Sequence, residues 1–326
     1  MRQFTVTKQE DGMRLNRWLE KTAPRLSGAL MYRFLRTKHI KVNGKRAEAG
    51  DRLRAGDVVT TFISDDFFVS DRPKYRFLGA ASKLTVLYED EQIALLYKPA
   101  GIAVHDEEGG TADTLVNRLL RYLYEKGEFD PEEAGCFVPA LCNRLDTGTF
   151  GIVIAAKTRA ALAEMNAVIK QRLIDKRYLA AVVGRPPEGR FTAYLEKNEQ
   201  KNMVTVRERP FGSARQIVTG VRVLKSSGEL SLCEIELITG RTHQIRAHLA
   251  FLGCPVLGDG KYGSHSKLPN IALWAVRLTV PHPTDGHPVC ATCLPTGEPW
   301  SRFDLPKGQM QNPKNTPNDS VTEPLI

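Results

Sequence analysis

Between Lys176 and Leu237 the chain passes through four short β-rich segments, Tyr178–Val183, Met203–Val206, Ile217–Val223 and Leu230–Leu237, with turns and no helical pattern between them. A parallel pair needs a crossover of about a dozen residues or more, usually a helix, so strands joined by turns alone pair antiparallel. Further strands are predicted on both sides of Asp90-Glu91, at Leu84–Leu87 and Ile93–Tyr97, and at Ile152–Ala155. Helices interrupt this pattern without alternating regularly with it. Leu115, Leu119, Tyr122 and Leu123 share one face of a helix stopped by Gly127, Thr158 caps another with Leu162, Met165 and Ile169 inward, and a third is predicted over Thr242–Leu252. More strands than helices, in no fixed order, predict an α+β domain on a largely antiparallel mixed sheet.

The charge is unevenly placed. Of a net charge of +9, residues 1–60 hold 14 Lys and Arg against 6 Asp and Glu, or +8, which leaves +1 for the other 266 residues. A concentrated positive field captures polyanions by counterion release, so nucleic acid is the first partner class to consider and an acidic membrane surface the second. The plainer reading, a solvated charged face, is not excluded by a count.

The basic segment has a shape of its own. Leu15, Trp18 and Leu19 fall on one helical face. Ser27 is placed to cap a second helix that turns Leu30, Met31, Phe34 and Leu35 inward. Ile40-Lys41-Val42 then leads into Asn43-Gly44, a dipeptide suited to a tight hairpin, and a further strand is predicted near Val58. This helix-helix-hairpin unit resembles the small RNA-binding domain named after the fourth protein of the small ribosomal subunit. The resemblance implies a basic RNA-binding surface at Arg33, Arg36, Lys38, Lys41, Asn43 and Lys45, with Gly28 standing where that family carries a basic residue. The expected organisation is a basic RNA-binding domain at 1–62, a linker at 63–82, a catalytic domain at 83–311 and a disordered tail at 312–326.

In the larger domain, Asn143-Arg144-Leu145-Asp146-Thr147-Gly148-Thr149-Phe150-Gly151 lies between apolar runs. Two readings are open there. Arg144 and Asp146 form a structural ion pair, or the carboxylate is held beside an arginine as a nucleophile or electrostatic stabiliser for chemistry at a sugar carbon.

Four other motifs accompany this one, in order: Lys98-Pro99-Ala100-Gly101, Lys176-Arg177-Tyr178, Gly240-Arg241-Thr242-His243-Gln244-Ile245-Arg246 and Gly258-Asp259-Gly260-Lys261-Tyr262-Gly263. Together they resemble the RluA-type pseudouridine synthases, over about residues 84–280. The resemblance implies the pseudouridine synthase fold and isomerisation of specific uridines, with Asp146 as the catalytic aspartate and Tyr178 as the ring beside the target uracil. It also implies Arg246 as the partner of Asp146, Arg144 as an arginine that opens or holds the RNA, and Arg241 and His243 as RNA contacts. Asn143 and Phe150 depart from the family's common residues at those positions. Large-subunit ribosomal RNA is the expected target; transfer RNA, a catalytically inactive RNA-binding protein and a glycosidase-like hydrolase are the alternatives. The last would need a second carboxylate as general acid, and no paired acidic motif accompanies Asp146.

The chemistry needs no net redox change, and no phosphate-cradling glycine loop or dinucleotide fingerprint is present, so no cofactor is expected. Cys290 and Cys293 lack a second pair for a tetrahedral site, and no metal is expected. With no apolar stretch of membrane-spanning length and a polar, charged start, the chain is expected to be a cytoplasmic monomer that binds RNA and no membrane.

Overall fold

The computed structural model describes residues 1–68, 75–105, 110–133, 135–198, 203–264, 266, 268–305 and 310–311. The chain divides into two compact units, Met1–Arg76 and Phe77–Ile326. The expected tail at 312–326 lies outside the described residues.

The first unit carries a sheet that the hairpin expectation undercounted. Strands β1 (Arg2–Thr5), β2 (Ile40–Val42), β3 (Lys45–Arg46) and β4 (Val58–Thr61) lie in the order β1-β4-β2-β3. Helices α1 (Leu15–Thr22) and α2 (Gly28–Arg36) turn Leu15, Trp18, Leu19, Met31 and Leu35 into a core shared with Ile40, Leu53 and Val59. Ser27 caps α2 by accepting the Leu30 N–H, a contact whose removal typically costs about 1 kcal/mol. The 63–82 stretch is not featureless. It contains 3₁₀ turns at Asp65–Phe68 and Arg76–Gly79, and Phe67 and Phe68 pack on the first unit's core, so apolar burial overrides its polar, Pro-containing composition.

The second unit is built on one mixed sheet, whose strands are β5 (Thr85–Glu89), β6 (Ile93–Lys98), β7 (Ala140–Leu141), β8 (Phe150–Ala156), β9 (Asp175–Val183), β10 (Gly189–Asn198), β11 (Met203–Arg207), β12 (Arg215–Ser227), β13 (Leu230–Leu237), β14 (Leu273–Pro281), β15 (Pro288–Cys293) and β16 (Met310–Gln311). The main path runs β11-β10-β12-β13-β9-β14-β8-β6-β5, with β7 beside β8 and β15 and β16 continuing from β14. All these pairs are antiparallel except β14 with β8. That parallel contact is close. A Cβ on Gly151 would fall 2.3 Å from the Ala275 carbonyl oxygen, and its φ of +126° suits glycine, so no other residue lets β8 and β14 meet here.

Helices α3 (Leu115–Glu125), α4 (Arg159–Gln171) and α5 (Gln244–Phe251) complete the unit. Thr114 and Thr158 cap α3 and α4 through their side chains. α5 is buried along nearly its whole length, and its Ala247 packs with Ala193, Leu195, Val204 and Ile217 on β10–β12. Its polar residues bond across to the sheet. Gln244 Nε2 donates to the Val218 carbonyl and to Thr219 Oγ1, which is also hydrogen-bonded to His248 Nδ1 at 3.0 Å.

Burial drives the His248 pKa down to about 4, so the ring is neutral in the folded protein. The unfolded chain, with a histidine near 6.5, takes up a proton that the folded chain refuses. The stability tied to the neutral ring is therefore complete above about pH 6.5 and is lost as pH falls toward 4. Denaturant titrations across that range are expected to show a stability loss on the order of 3 kcal/mol from this ring, and His248→Asn, which keeps an acceptor near Nδ1, is expected to flatten the slope.

Candidate active site

The loop from Cys142 to Thr149 joins β7 to β8 and carries Asp146. Asn143 holds its start, accepting the Ile154 N–H on Oδ1 at 2.7 Å. Phe150, at its end, stacks on Trp274 with 4.7 Å between ring centroids. Both departures from the family pattern thus have structural work in this chain.

Lys98, at the end of β6, supports the same loop from inside. Its side chain is fully buried, and Nζ donates to the carbonyls of Pro99, Ile102 and Thr147, at 3.0, 2.9 and 3.2 Å. Thr147 is the residue after Asp146, and its carbonyl also accepts the Gly101 N–H. Burial pulls the Lys98 pKa down to about 8, against the opposing pull of the Asp146 carboxylate.

Asp146 itself meets α5. Arg246 Nη1 donates to Asp146 Oδ2 at 2.8 Å, while Nε and Nη2 form a two-bond fork on Asp259 at 2.6 and 2.9 Å. Asp259 is 1% exposed and Asp146 about a quarter exposed. The guanidinium thus joins a buried anchoring carboxylate to one that solvent reaches. Burial opposes the charge on Arg246, but the bonds to Asp259 and Asp146 outweigh it and raise its pKa. Planar bidentate pairing of this kind is what arginine provides and lysine does not.

Of the two readings open at Arg144 and Asp146, the local ion pair is not formed. Arg144 is exposed, and Asp146 takes its cation from a residue 100 positions later. His243 and Tyr262 line the same place: His243 Nε2 lies 3.8 Å from Asp146 Oδ2, its Nδ1 is 2.8 Å from Tyr262 Oη, and the Arg246 guanidinium sits 5.2 Å from the Tyr262 ring centre. Tyr178, on β9 opposite Ala275, is buried, and burial followed by the Asp146 charge raises its phenol pKa well above the ordinary value. Arg241 is exposed; its backbone N–H, not its side chain, is tied down, on Gln244 Oε1.

Asp259, Tyr262 and Lys98 were missed as site residues in the sequence reading. They belong to two of the ordered motifs, and the available signal was that membership and, for Lys98, a charge at the end of the apolar run Ile93–Tyr97. The two cysteines, three positions apart on β15, point to opposite faces, Cys290 exposed and Cys293 buried. Elsewhere His282, Asp285 and His287 bring one ligand atom each within 4.8 Å of one another in the β14–β15 turn, where His282 Nε2 is already bonded to Asp90 and His287 Nδ1 to Asp285.

In the first unit, Arg33, Arg36, Lys38, Lys45 and Arg46 are exposed and Lys41 is half-buried. Arg33, Arg36 and Arg46 border a groove of about 610 Å³ together with Tyr32, which is 58% exposed. Asn43 is exposed as well. Its amide is engaged within the unit, Nδ2 donating to Asp57 and Oδ1 accepting the Val58 N–H, so it shapes the hairpin.

A carboxylate gripped on one oxygen by a buried guanidinium, next to a buried phenol ring, can attack or stabilise an electron-poor carbon. Comparison with known proteins shows the family. The sequence profile described as RNA pseudouridylate synthase matches residues 92–251. An uncharacterised RNA pseudouridine synthase of Mycoplasma genitalium is 31% identical over 288 residues, covering 85% of this chain and 88% of the relative. The ribosomal large subunit pseudouridine synthase C of Rickettsia bellii is 33% identical over 270 residues, 78% of this chain and 84% of that one. Among solved structures, human RNA pseudouridylate synthase domain containing 4 shares the fold, with a TM-score of 0.53 at 22% identity over 67% of this chain and 90% of that one.

Proposed function

Since the chain belongs to the RNA pseudouridine synthases, and is therefore an isomerase acting on RNA, we propose that it converts specific uridines of large-subunit ribosomal RNA to pseudouridine with Asp146 as nucleophile. The observation that carries the reading is the Asp146–Arg246–Asp259 assembly, which holds one carboxylate oxygen and leaves the group partly open to solvent. Isomerisation breaks the bond from ribose C1′ to N1, turns the uracil in place and joins C1′ to C5. The C5 proton leaves and N1 takes one up, so nothing is oxidised or reduced. Asp146 supplies the negative charge that the detached sugar carbon or base requires.

The uridine has to leave its stack to reach this group. Tyr178 offers a ring beside it, and the exposed Arg144 is placed two residues from Asp146 to hold the displaced strand. The choice of ribosomal RNA rests on relatives such as the Rickettsia bellii enzyme. The test is mass-spectrometric detection of pseudouridine in unmodified large-subunit and transfer RNA transcripts incubated with the purified protein. Product in the ribosomal transcript alone supports the target; product only in transfer RNA replaces it.

In this reading the first unit is the RNA-gripping domain, because it holds +8 of the +9 net charge and presents Arg33, Arg36, Lys38 and Lys45 to solvent. Replacing Arg33, Arg36 and Lys41 together by Ala is expected to weaken binding and to lower the slope of log affinity against log salt by about 2 to 3. Filter-binding or anisotropy titrations at several salt concentrations measure this. An unchanged slope would show that these residues meet no phosphate.

A further inference from the structure

We propose that His243 is a positioning residue for Asp146, its Nε2–H steadying Oδ2 so that Oδ1 is the oxygen that reacts. The proposal rests on the reading of Asp146 as nucleophile.

The bonds around Tyr262 favour one tautomer. Tyr262 Oη accepts the Val204 N–H at 3.1 Å and lies 2.8 Å from His243 Nδ1, so its one phenolic proton is free to go to that nitrogen, and the proposal places it there. A neutral imidazole whose Nδ1 accepts must carry its hydrogen on Nε2. That nitrogen is the one facing Asp146 Oδ2 at 3.8 Å. The separation exceeds a hydrogen bond, and bonds of this kind in active sites commonly tighten when substrate seats. Arg246 Nη1 engages the same oxygen at 2.8 Å, so both contacts gather on Oδ2.

The backbone supports a role beyond helix capping. His243 stands at the N-cap of α5, where Ser, Thr, Asp or Asn normally accepts a helix N–H, but its side chain makes no capping bond. Its φ of +53° lies in the left-handed region, a conformation that non-glycine residues adopt at a cost. Burial lowers the pKa of His243, and the charges of Arg246 and Lys261 act in the same direction against those of Asp146 and Asp259. The neutral donor form follows.

The two amide isosteres separate the ring's two nitrogens. Asn places a polar group near the position of Nδ1, whereas Gln places its NH₂ near that of Nε2. His243→Ala and His243→Asn are expected to lower the single-turnover rate of pseudouridine formation by about tenfold or more, with RNA affinity unchanged, and His243→Gln to recover most of the rate. In the full-length free protein, ¹⁵N NMR of the imidazole is expected to report the neutral Nε2–H form at pH 7, and Tyr262→Phe to erode that preference. Recovery by Asn and not by Gln would mean that the ring only holds Tyr262. A loss of RNA affinity at constant rate would make it an RNA contact, and a neutral ring with its hydrogen on Nδ1 would leave Nε2 without the donor. Each of these overturns the proposal. A parent protein inactive on ribosomal and transfer RNA transcripts alike overturns the reading beneath it; an active parent with the wrong isostere pattern overturns the proposal alone.

Discussion

Asp146→Asn is expected to abolish turnover while the protein still folds and still binds RNA. The substitution keeps the side chain's size, and an amide oxygen can still accept from Arg246 Nη1, which now lies 2.8 Å from Oδ2. What disappears is the negative charge and the nucleophilic oxygen. In the proposed reaction that charge acts while the glycosidic bond rearranges and contributes little to holding RNA beforehand, so the loss is expected to fall on the rate. Removal of a nucleophile typically costs on the order of 10⁴-fold or more. Single-turnover rates alongside RNA titrations and thermal melts of the same protein separate the three properties. Retained activity would remove Asp146 from the centre of the site.

Arg246→Ala should be the most damaging substitution on both counts, because it strands two carboxylates at once. Asp259 is 1% exposed and has both oxygens on the guanidinium. Removing one partner of a buried pair typically costs about 3 to 5 kcal/mol, and the freed Asp146 rotamer adds a loss of turnover. Arg246→Lys restores the charge without the planar fork, so it should regain part of the stability and little of the rate. Denaturant midpoints compared with rates at a temperature where both variants remain folded measure this. Equal stability of parent and Arg246→Ala would contradict the assembly described above.

Much of this was legible before the structure, for local reasons. The Ser27 and Thr158 caps, the Gly127 stop and the Leu230–Leu237 strand are written in side-chain chemistry and periodicity, and the structure reproduces them. β10 was missed because its residues alternate toward solvent and its composition, Gly189-Arg190-Phe191-Thr192 onward, is polar. Strand β1 escaped for a similar reason, three of its four residues being exposed. Within the site, the Asp146–Arg246 pairing was implied only by resemblance, since nothing local links residues 100 positions apart. The Asp259 fork and the Tyr262–His243 contact depend on how the 258–263 loop meets α5, a tertiary fact with no periodic signature. Asn43 is similar: its role as an RNA contact is implied by resemblance, and its bonds to Asp57 and Val58, fourteen and fifteen positions later, have no local signal.

The most direct test is pseudouridine mapping of large-subunit ribosomal RNA from cells lacking this protein, complemented with the parent or with Asp146→Asn. One or more defined pseudouridines are expected to vanish on deletion, to return with the parent and to stay absent with the variant expressed at the same level. An unaltered map on deletion, or full restoration by Asp146→Asn, would contradict the proposed function.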